Sequence, residues 1–245
     1  MNLKLSRWFL AWALILSTNL YAQTIHWAGH EWKVTDGGMA GVARGNPANV
    51  VLDGDGHLRL SITQRDGKWT AAELFTVDRM GFGTYQWIVE GNVYAMDPTT
   101  VLGLFTYGPT QHIGRDAENE IDIEFSQWNK TCHDCNADFT VYPPTGHRKA
   151  DGKSSWEDNF RVSGENITTA RMEWTLGKIT FTLMRGAQPI GTVAEVIKTE
   201  DYASNAIDIP LESSPVGINL WCFKNTPAKS QSVVIRDFKF VPRLN

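Results

Sequence analysis

The stretch AENEIDIEFSQW, residues Ala117–Trp128, contains the pattern that decides the fold. Glu120, Asp122 and Glu124 alternate with two isoleucines. Side chains point to opposite faces along a β-strand, so the three carboxylates share one face and the isoleucines share the other. The stretch therefore predicts a strand with one face in the core and an acidic row on the other face.

Three carboxylates in a row repel one another, and a merely solvated face would usually include Lys, Thr or Ser. Crowding of like charges raises at least one pKa, which places a carboxylic acid beside an ionised carboxylate. Glycoside hydrolysis requires such a pair, and a retaining enzyme needs its two carboxyl groups about 5–5.5 Å apart. The Cα atoms of Glu120 and Glu124 are about 13 Å apart in a strand, so spacing alone leaves three possibilities open. They are catalysis, calcium binding and a plain acidic surface.

Other short alternating runs are separated by turn residues along the chain, and the sequence contains no repeat, linker or low-complexity segment. Many short strands of this kind predict an all-β sandwich or barrel in one domain. A Gly in first turn position at Gly177-Lys178 predicts a hairpin, and Thr192–Ile197 is a weak candidate for a helix. The strand-like runs are 57–63, 83–91, 100–108, 120–125, 137–143, 170–186, 216–223 and 232–241.

The N-terminus reads as a secretory signal. Lys4 and Arg7 precede the apolar run Trp8–Leu16, and Leu20-Tyr21-Ala22 resembles a small-residue cleavage site. The apolar run is short for a membrane anchor. We expect residues 1–22 to be removed and residues 23–245 to form a single domain that is secreted or periplasmic, without membrane association.

Composition limits the partners. The net charge is −4 and no basic patch dominates, which argues against nucleic acid. The ten Trp residues indicate an aromatic core or a surface that stacks on flat ligand faces. Cys132 and Cys135 could form a disulfide in an exported protein, stay as thiols, or bind metal with His133. Cys222 lies in an apolar run and is expected to be a buried thiol.

Several motifs in the same order resemble glycoside hydrolase family 16 across roughly residues 32–242. EIDIEF resembles the unbulged E-x-D-x-E active-site strand of the licheninase-like branch. GFGTYQW, LFTYGP, MEWTLGKITFTLMRG and INLWCF resemble four further family segments. The resemblance implies an all-β fold, a concanavalin-like β-jelly roll sandwich of two curved antiparallel sheets.

The resemblance also implies roles for individual residues. Glu120 would be the nucleophile, Glu124 the general acid/base, and Asp122 a carboxyl that assists them. No cofactor is required for this chemistry. A structural Ca²⁺ is implied at Asp237, with the Gly56 carbonyl as a further ligand, and calcium prefers such oxygen ligands. Five positions match substrate-binding residues of the cleft: Glu73, Phe105, Tyr142, Asn219 and Trp221.

The chain departs from the licheninase pattern at Glu118, Phe75, Gly38 and Thr140, where the pattern has Trp, Arg, Tyr and Asn. The reaction is therefore better supported than the polymer. We expect a monomeric, retaining endo-β-glucanase acting on β-1,3-1,4-glucan or a related β-glucan. The alternatives are a carbohydrate-binding jelly roll that does not hydrolyse and a transglycosylase of the same family.

Overall fold

A computed structural model describes residues 23–108, 119–144, 155–164, 166–205 and 208–243. The predicted signal sequence lies outside these residues. None of the helices in the described ranges is long and apolar enough to cross a membrane.

The described residues form sixteen strands and three one-turn 3-10 helices. The strands are β1 Thr24–Trp27, β2 His30–Val34, β3 Arg44–Gly45, β4 Val50–Leu52, β5 Leu58–Arg65, β6 Lys68–Met80, β7 Gly83–Glu90, β8 Thr100–Thr106, β9 Glu120–Ser126, β10 Ala137–Tyr142, β11 Trp156–Phe160, β12 Ile167–Thr175, β13 Lys178–Arg185, β14 Val196–Ala203, β15 Ser214–Cys222 and β16 Gln231–Pro242. The 3-10 helices are Pro47–Asn49, Val93–Ala95 and Trp128–Lys130.

The strands form one curled sheet whose two halves lie face to face. One half, the cleft sheet, has the order β11-β10-β9-β8-β15-β6-β2-β1, and the other, the back sheet, has the order β4-β5-β16-β7-β12-β13-β14. Antiparallel pairing of β5 with β6 connects the halves. Every strand pairing among the described residues is antiparallel except β3 with β6. The predicted all-β jelly roll of two curved sheets is confirmed.

Aromatic side chains fill the space between the two halves. Phe139 on β10 stacks on Phe181 of β13 with ring centroids 4.6 Å apart, and Trp32 on β2 meets the edge of Phe238 on β16 at 5.7 Å. All four side chains are buried. Each is a large apolar side chain, so its removal from water contributes strongly to the sandwich.

Two local expectations need correction. Thr192–Ile197 is not a helix, because residues 192–194 have no regular structure, Glu195 is in a bend and β14 begins at Val196. The predicted hairpin between β12 and β13 is present, with Thr175 paired to Lys178. However, its turn residues are Leu176 and Gly177, and the glycine occupies the second position with φ +74°, a left-handed conformation that glycine adopts without strain.

Ile123 tests whether β9 is anchored through its apolar face. Its side chain is fully buried between the sheets, so Ile123→Ala should lower the free energy of unfolding by about 2–5 kcal/mol. Val193→Ala is the control, because Val193 is 61% exposed and its truncation should change stability by less than about 0.5 kcal/mol. Urea titration followed by Trp fluorescence measures both. Equal losses of stability in the two variants would contradict the burial of the isoleucine face of β9.

Candidate active site

The acidic row lies on the open face of β9, as the alternation predicts. Ile121, Ile123 and Phe125 are fully buried in the core. Asp122 is 4% exposed, while Glu120 and Glu124 at either end of the row are half-buried. The carboxylates are thus largely withdrawn from water without entering the apolar core.

Two glycines on neighbouring strands make room beside this row. A Cβ atom on Gly217 of β15 would lie 2.4 Å from the ring of Phe105 on β8, and one on Gly103 would lie 2.6 Å from Oδ1 of Asn219. These separations are shorter than van der Waals contact, so larger residues would displace both side chains. The Asn219 amide is held in place because its Oδ1 accepts a hydrogen bond from the Gly103 N–H at 3.1 Å.

The row opens into a continuous cleft made of two adjoining cavities of about 260 and 620 Å³. The larger of them is within the usual size range of ligand sites. All eight residues predicted for catalysis and substrate binding line one or both cavities. The smaller is lined by Ala40, Phe105, Glu120, Asp122, Glu124, Trp128, Tyr142, Asn219 and Trp221. The larger is lined by Thr35, Gly38, Met39, Ala40, Glu73, Phe75, Phe105, Tyr107, Glu120 and Asn219.

Two positions that depart from the licheninase pattern, Phe75 and Gly38, line the larger cavity. The ring of Phe75 packs edge-on against Phe105 with centroids 5.7 Å apart, and Tyr107 lies 6.1 Å from both rings. This end of the cleft therefore has an aromatic wall. Glu73, which accepts a 2.8 Å hydrogen bond from the Thr35 hydroxyl, is the acidic group beside it.

Sequence analysis missed two residues at the other end of the cleft. Trp128 lines the smaller cavity, and its indole N–H donates a 2.8 Å hydrogen bond to Oδ1 of the buried Asp138. Asp138 alternates with Thr140 and Tyr142 on β10, so the same alternation that identified the acidic row would have placed it on the cleft face. Trp128 left no such signal, because it lies in a turn.

The turn that presents Trp128 has an unusual backbone. Trp128, Asn129 and Lys130 all have positive φ, at 48°, 55° and 63°. Such conformations cost about 1–3 kcal/mol for a residue other than glycine, and they are concentrated at functional sites. The Ser126 hydroxyl at the end of β9 accepts the Trp128 backbone N–H at 2.9 Å, which holds the turn against the strand.

The carboxyl groups of the row raise one another's pKa values. Burial, followed by the charges of Glu120 and Glu124, raises the pKa of Asp122 well above its ordinary value. A hydrogen bond between the Asp122 and Glu120 carboxyls acts in the same direction. Burial and crowding therefore favour the protonated form of Asp122.

The other end of the row also favours protonated forms. Burial, and next the charge of Asp138, raises the pKa of Glu124 well above its ordinary value. Burial raises the pKa of Asp138 to about 7, although hydrogen bonds from Trp128 and Thr140 oppose the shift. Burial and the nearby carboxylates also raise the pKa of Tyr142, which stays a neutral phenol. The arrangement thus favours the acid form of Glu124.

The residues expected to hold calcium are already engaged by other groups. The Gly56 carbonyl accepts a 3.1 Å hydrogen bond from the Trp27 indole, and the Lys239 ammonium lies 3.4 Å from the Asp237 carboxylate. Among the described residues, the side chains grouped closely enough to hold a metal ion are Asp53, Asp55 and His57, which flank Gly56 but do not include Asp237. The structural ion at Asp237 and Gly56 stays a prediction.

Cys132 and Cys135 form a disulfide with Cα atoms 5.6 Å apart, one of the states left open by the sequence. It closes the loop between the Trp128 turn and β10. Cys222 is a buried free thiol, and burial raises its pKa to about 12. This agrees with the expected buried thiol.

Neither the known family models nor the curated proteins contain a match to the sequence. Solved structures do resemble the chain. A β-glucanase of Bacillus licheniformis superposes with a TM-score of 0.63 at 22% identity, over 86% of this chain and 92% of that one. A β-1,3-1,4-glucanase (lichenase) from a mouse hindgut metagenome gives 0.62 at 23%, over 86% and 93%.

A Bacteroides ovatus family 16 endo-glucanase, solved in complex with G4G3G-2F-DNP, gives a TM-score of 0.62 at 12% identity, over 86% and 94% of the two chains. The chain therefore has the jelly-roll fold of the glycoside hydrolase family 16 glucanases. The resemblance predicted from the sequence is confirmed at the level of the fold.

The raised pKa of Asp138 predicts how stability depends on pH. Its folded pKa of about 7 exceeds the ordinary value of 3.8, so its contribution to stability is complete below pH 4 and is lost as the pH rises to about 7. The Asp138→Asn variant has no carboxyl at this position to ionise. As the pH rises from 4 to 8, its free energy of unfolding should therefore increase relative to that of the unmodified protein. The expected gain is on the order of 3–4 kcal/mol.

Chemical denaturation gives the free energy of unfolding of both proteins at pH 4 and pH 8. The gain is the difference between variant and unmodified protein at pH 8 minus the same difference at pH 4. Asp201→Asn is the control, because hydrogen bonds from Thr180 and Lys178 lower the pKa of this exposed carboxyl. Its variant should show almost no change between pH 4 and pH 8, because a lowered pKa confines the pH dependence of stability to lower pH. A pH-independent difference for Asp138→Asn would show that the Asp138 carboxyl is not shifted.

Proposed function

We propose that the chain is a secreted, retaining endo-β-glucanase that hydrolyses β-1,3-1,4-glucan or a related β-glucan. The observation that carries this proposal is the acidic row: Glu120, Asp122 and Glu124 lie along one strand in the floor of an open cleft, where burial and Asp138 raise the pKa of Glu124. The aromatic rings beside it suit the apolar faces of sugar rings, and the cleft is continuous past the row, as an endo-acting enzyme needs.

In the proposed reaction, the Glu120 carboxylate attacks the anomeric carbon and forms a glycosyl ester. The bond to the leaving oxygen breaks as Glu124 gives that oxygen its proton. Glu124, now ionised, takes a proton from water, whose oxygen attacks the same carbon and releases Glu120. Each displacement inverts the anomeric carbon, so the two steps together retain its configuration. Asp122 donates its hydrogen bond to Glu120 and so stabilises the carboxylate when it leaves.

The altered cleft contacts favour a second candidate. Phe75 and Gly38 replace an Arg and a Tyr of the licheninase pattern, and both line the larger cavity. A carbohydrate-binding jelly roll without hydrolysis would tolerate such changes. A transglycosylase would use the same glycosyl ester with a sugar acceptor, and lengthening of products would identify it.

The first prediction for this function concerns the polymer. The mature protein should release reducing sugar from mixed-linkage β-glucan, with laminarin, xyloglucan and agarose tested alongside. Glu120→Gln should lower the rate at least about a thousandfold, because the covalent step is lost. Binding of one polymer without release from any, measured by affinity electrophoresis, would favour the binding protein instead.

Azide separates the roles of the two glutamates. With an activated aryl glucoside, Glu120→Ala plus azide should regain activity and yield a glycosyl azide of inverted configuration, since azide replaces the nucleophile in a single displacement. Glu124→Ala plus azide should yield the retained configuration, because the glycosyl ester still forms. Proton NMR of the products identifies the anomer. Identical anomers from both variants would contradict the assigned roles.

A further inference from the structure

A fourth carboxyl, Asp138, faces the acidic row from the neighbouring strand. The antiparallel register places Asp138 opposite Glu124, Thr140 opposite Asp122 and Tyr142 opposite Glu120. Side chains directly opposite one another lie on the same face with Cβ atoms about 4.5–5.5 Å apart. Among the three register partners on β10, the one opposite Glu124 is therefore the only carboxyl.

Asp138 is held in this place by two donors. The Trp128 indole N–H binds Oδ1 at 2.8 Å, and the Thr140 hydroxyl lies 3.3 Å from Oδ2. The side chain is only 3% exposed. Because each oxygen has its own donor, the carboxyl cannot rotate away from Glu124 to relieve repulsion.

Cations do not offset this pairing within the described part of the chain. Its ion pairs involve neither Asp138 nor Glu124. The nearest strand on the other side, β8, presents the uncharged Gly103 to Glu124. The remaining charged or titratable groups facing the pair are acidic or phenolic: Glu120 and Asp122 on β9, Tyr142 on β10, and Glu157 on β11. Asp158 on β11 also acts on Asp138, but its register partner Phe139 places it on the other face of the sheet.

Lys198 on β14 is the cation paired with Asp158. Its ammonium lies 2.9 Å from Asp158 and 3.2 Å from Glu200. It therefore offsets the charge of Asp158 but leaves Asp138 opposed to Glu124.

We propose that Asp138 is a positioning residue: once Asp138 is ionised, the negative charge that it holds against Glu124 from β10 keeps Glu124 protonated in the resting cleft. This inference rests on the proposed function, in which Glu124 must carry a proton before the glycosidic bond breaks. Once Glu124 has given up that proton, repulsion from Asp138 favours its recovery from the attacking water. Asp138 acts through Glu124 and does not itself react.

The titration of Glu124 tests this directly and needs no activity. In a Glu120→Gln background with ¹³C-labelled carboxyl groups, NMR should show that Asp138→Asn lowers the pKa of Glu124 by about one unit or more. Glu157→Gln is the matched control, since it removes one charge from the same face one strand farther away. It should lower the pKa by less. An unchanged Glu124 pKa in Asp138→Asn, or equal shifts in both variants, would overturn the proposal.

Kinetics add a readout that a merely structural role would not move. The alkaline limb of the kcat/KM profile should shift to lower pH in Asp138→Asn by the same amount as the NMR titration, with up to about tenfold loss one unit above the original midpoint. A uniform loss at all pH values would overturn the role. If no polymer is hydrolysed, the proposed function fails while the NMR titration still decides whether Asp138 controls Glu124.

Trp128→Phe provides a second variant in case Asp138→Asn does not fold. It keeps an aromatic ring and removes the N–H that stabilises ionised Asp138. Asp138 should then ionise less readily, and the pKa of Glu124 should fall in the same direction by a smaller amount. A rise or no change in that pKa would count against the proposal.

Discussion

The pairing of β9 between β8 and β10 is the constraint on which the rest of the site depends. Within this ladder the pleat alternates, so Ile121, Ile123 and Phe125 enter the core while the carboxylates enter the cleft. A slip of one residue would exchange the two sets and bury three charges among aromatic rings. Burial of the apolar face therefore fixes the register, and the register aligns the carboxylates.

The same packing that fixes the strand also sets its chemistry. The row is shielded from water by the strands on both sides, and burial is the largest cause of the raised pKa values of Asp122, Glu124 and Asp138. Like charges then act across a short distance in a poorly screened environment. Burying carboxyl groups of like charge beside one another lowers the stability of the fold, so a stable protein does so only in a small region. The raised pKa values that result suit the protonated acid of the proposed reaction.

The two ends of the cleft differ in ways that bear on the substrate. Near Glu120 the wall is formed by Phe75, Phe105 and Tyr107, and near Glu124 it is formed by Trp128 and Trp221. Stacking on rings recognises the flat faces of sugars in general. Two positions at which this chain departs from the licheninase pattern, Phe75 and Gly38, line the larger cavity.

The sequence by itself determined the all-β class, the exposed face of β9 and the identity of the acidic row, because alternation is a local property that can be read from neighbouring residues. The family resemblance added the cleft residues on β6, β8, β10 and β15. Only the tertiary structure decided that Asp138 lies opposite Glu124, that Trp128 binds it from a left-handed turn, and that Gly103 and Gly217 open the cleft floor. Those contacts join residues from different strands, and they depend on register and backbone conformation, which no local pattern specifies.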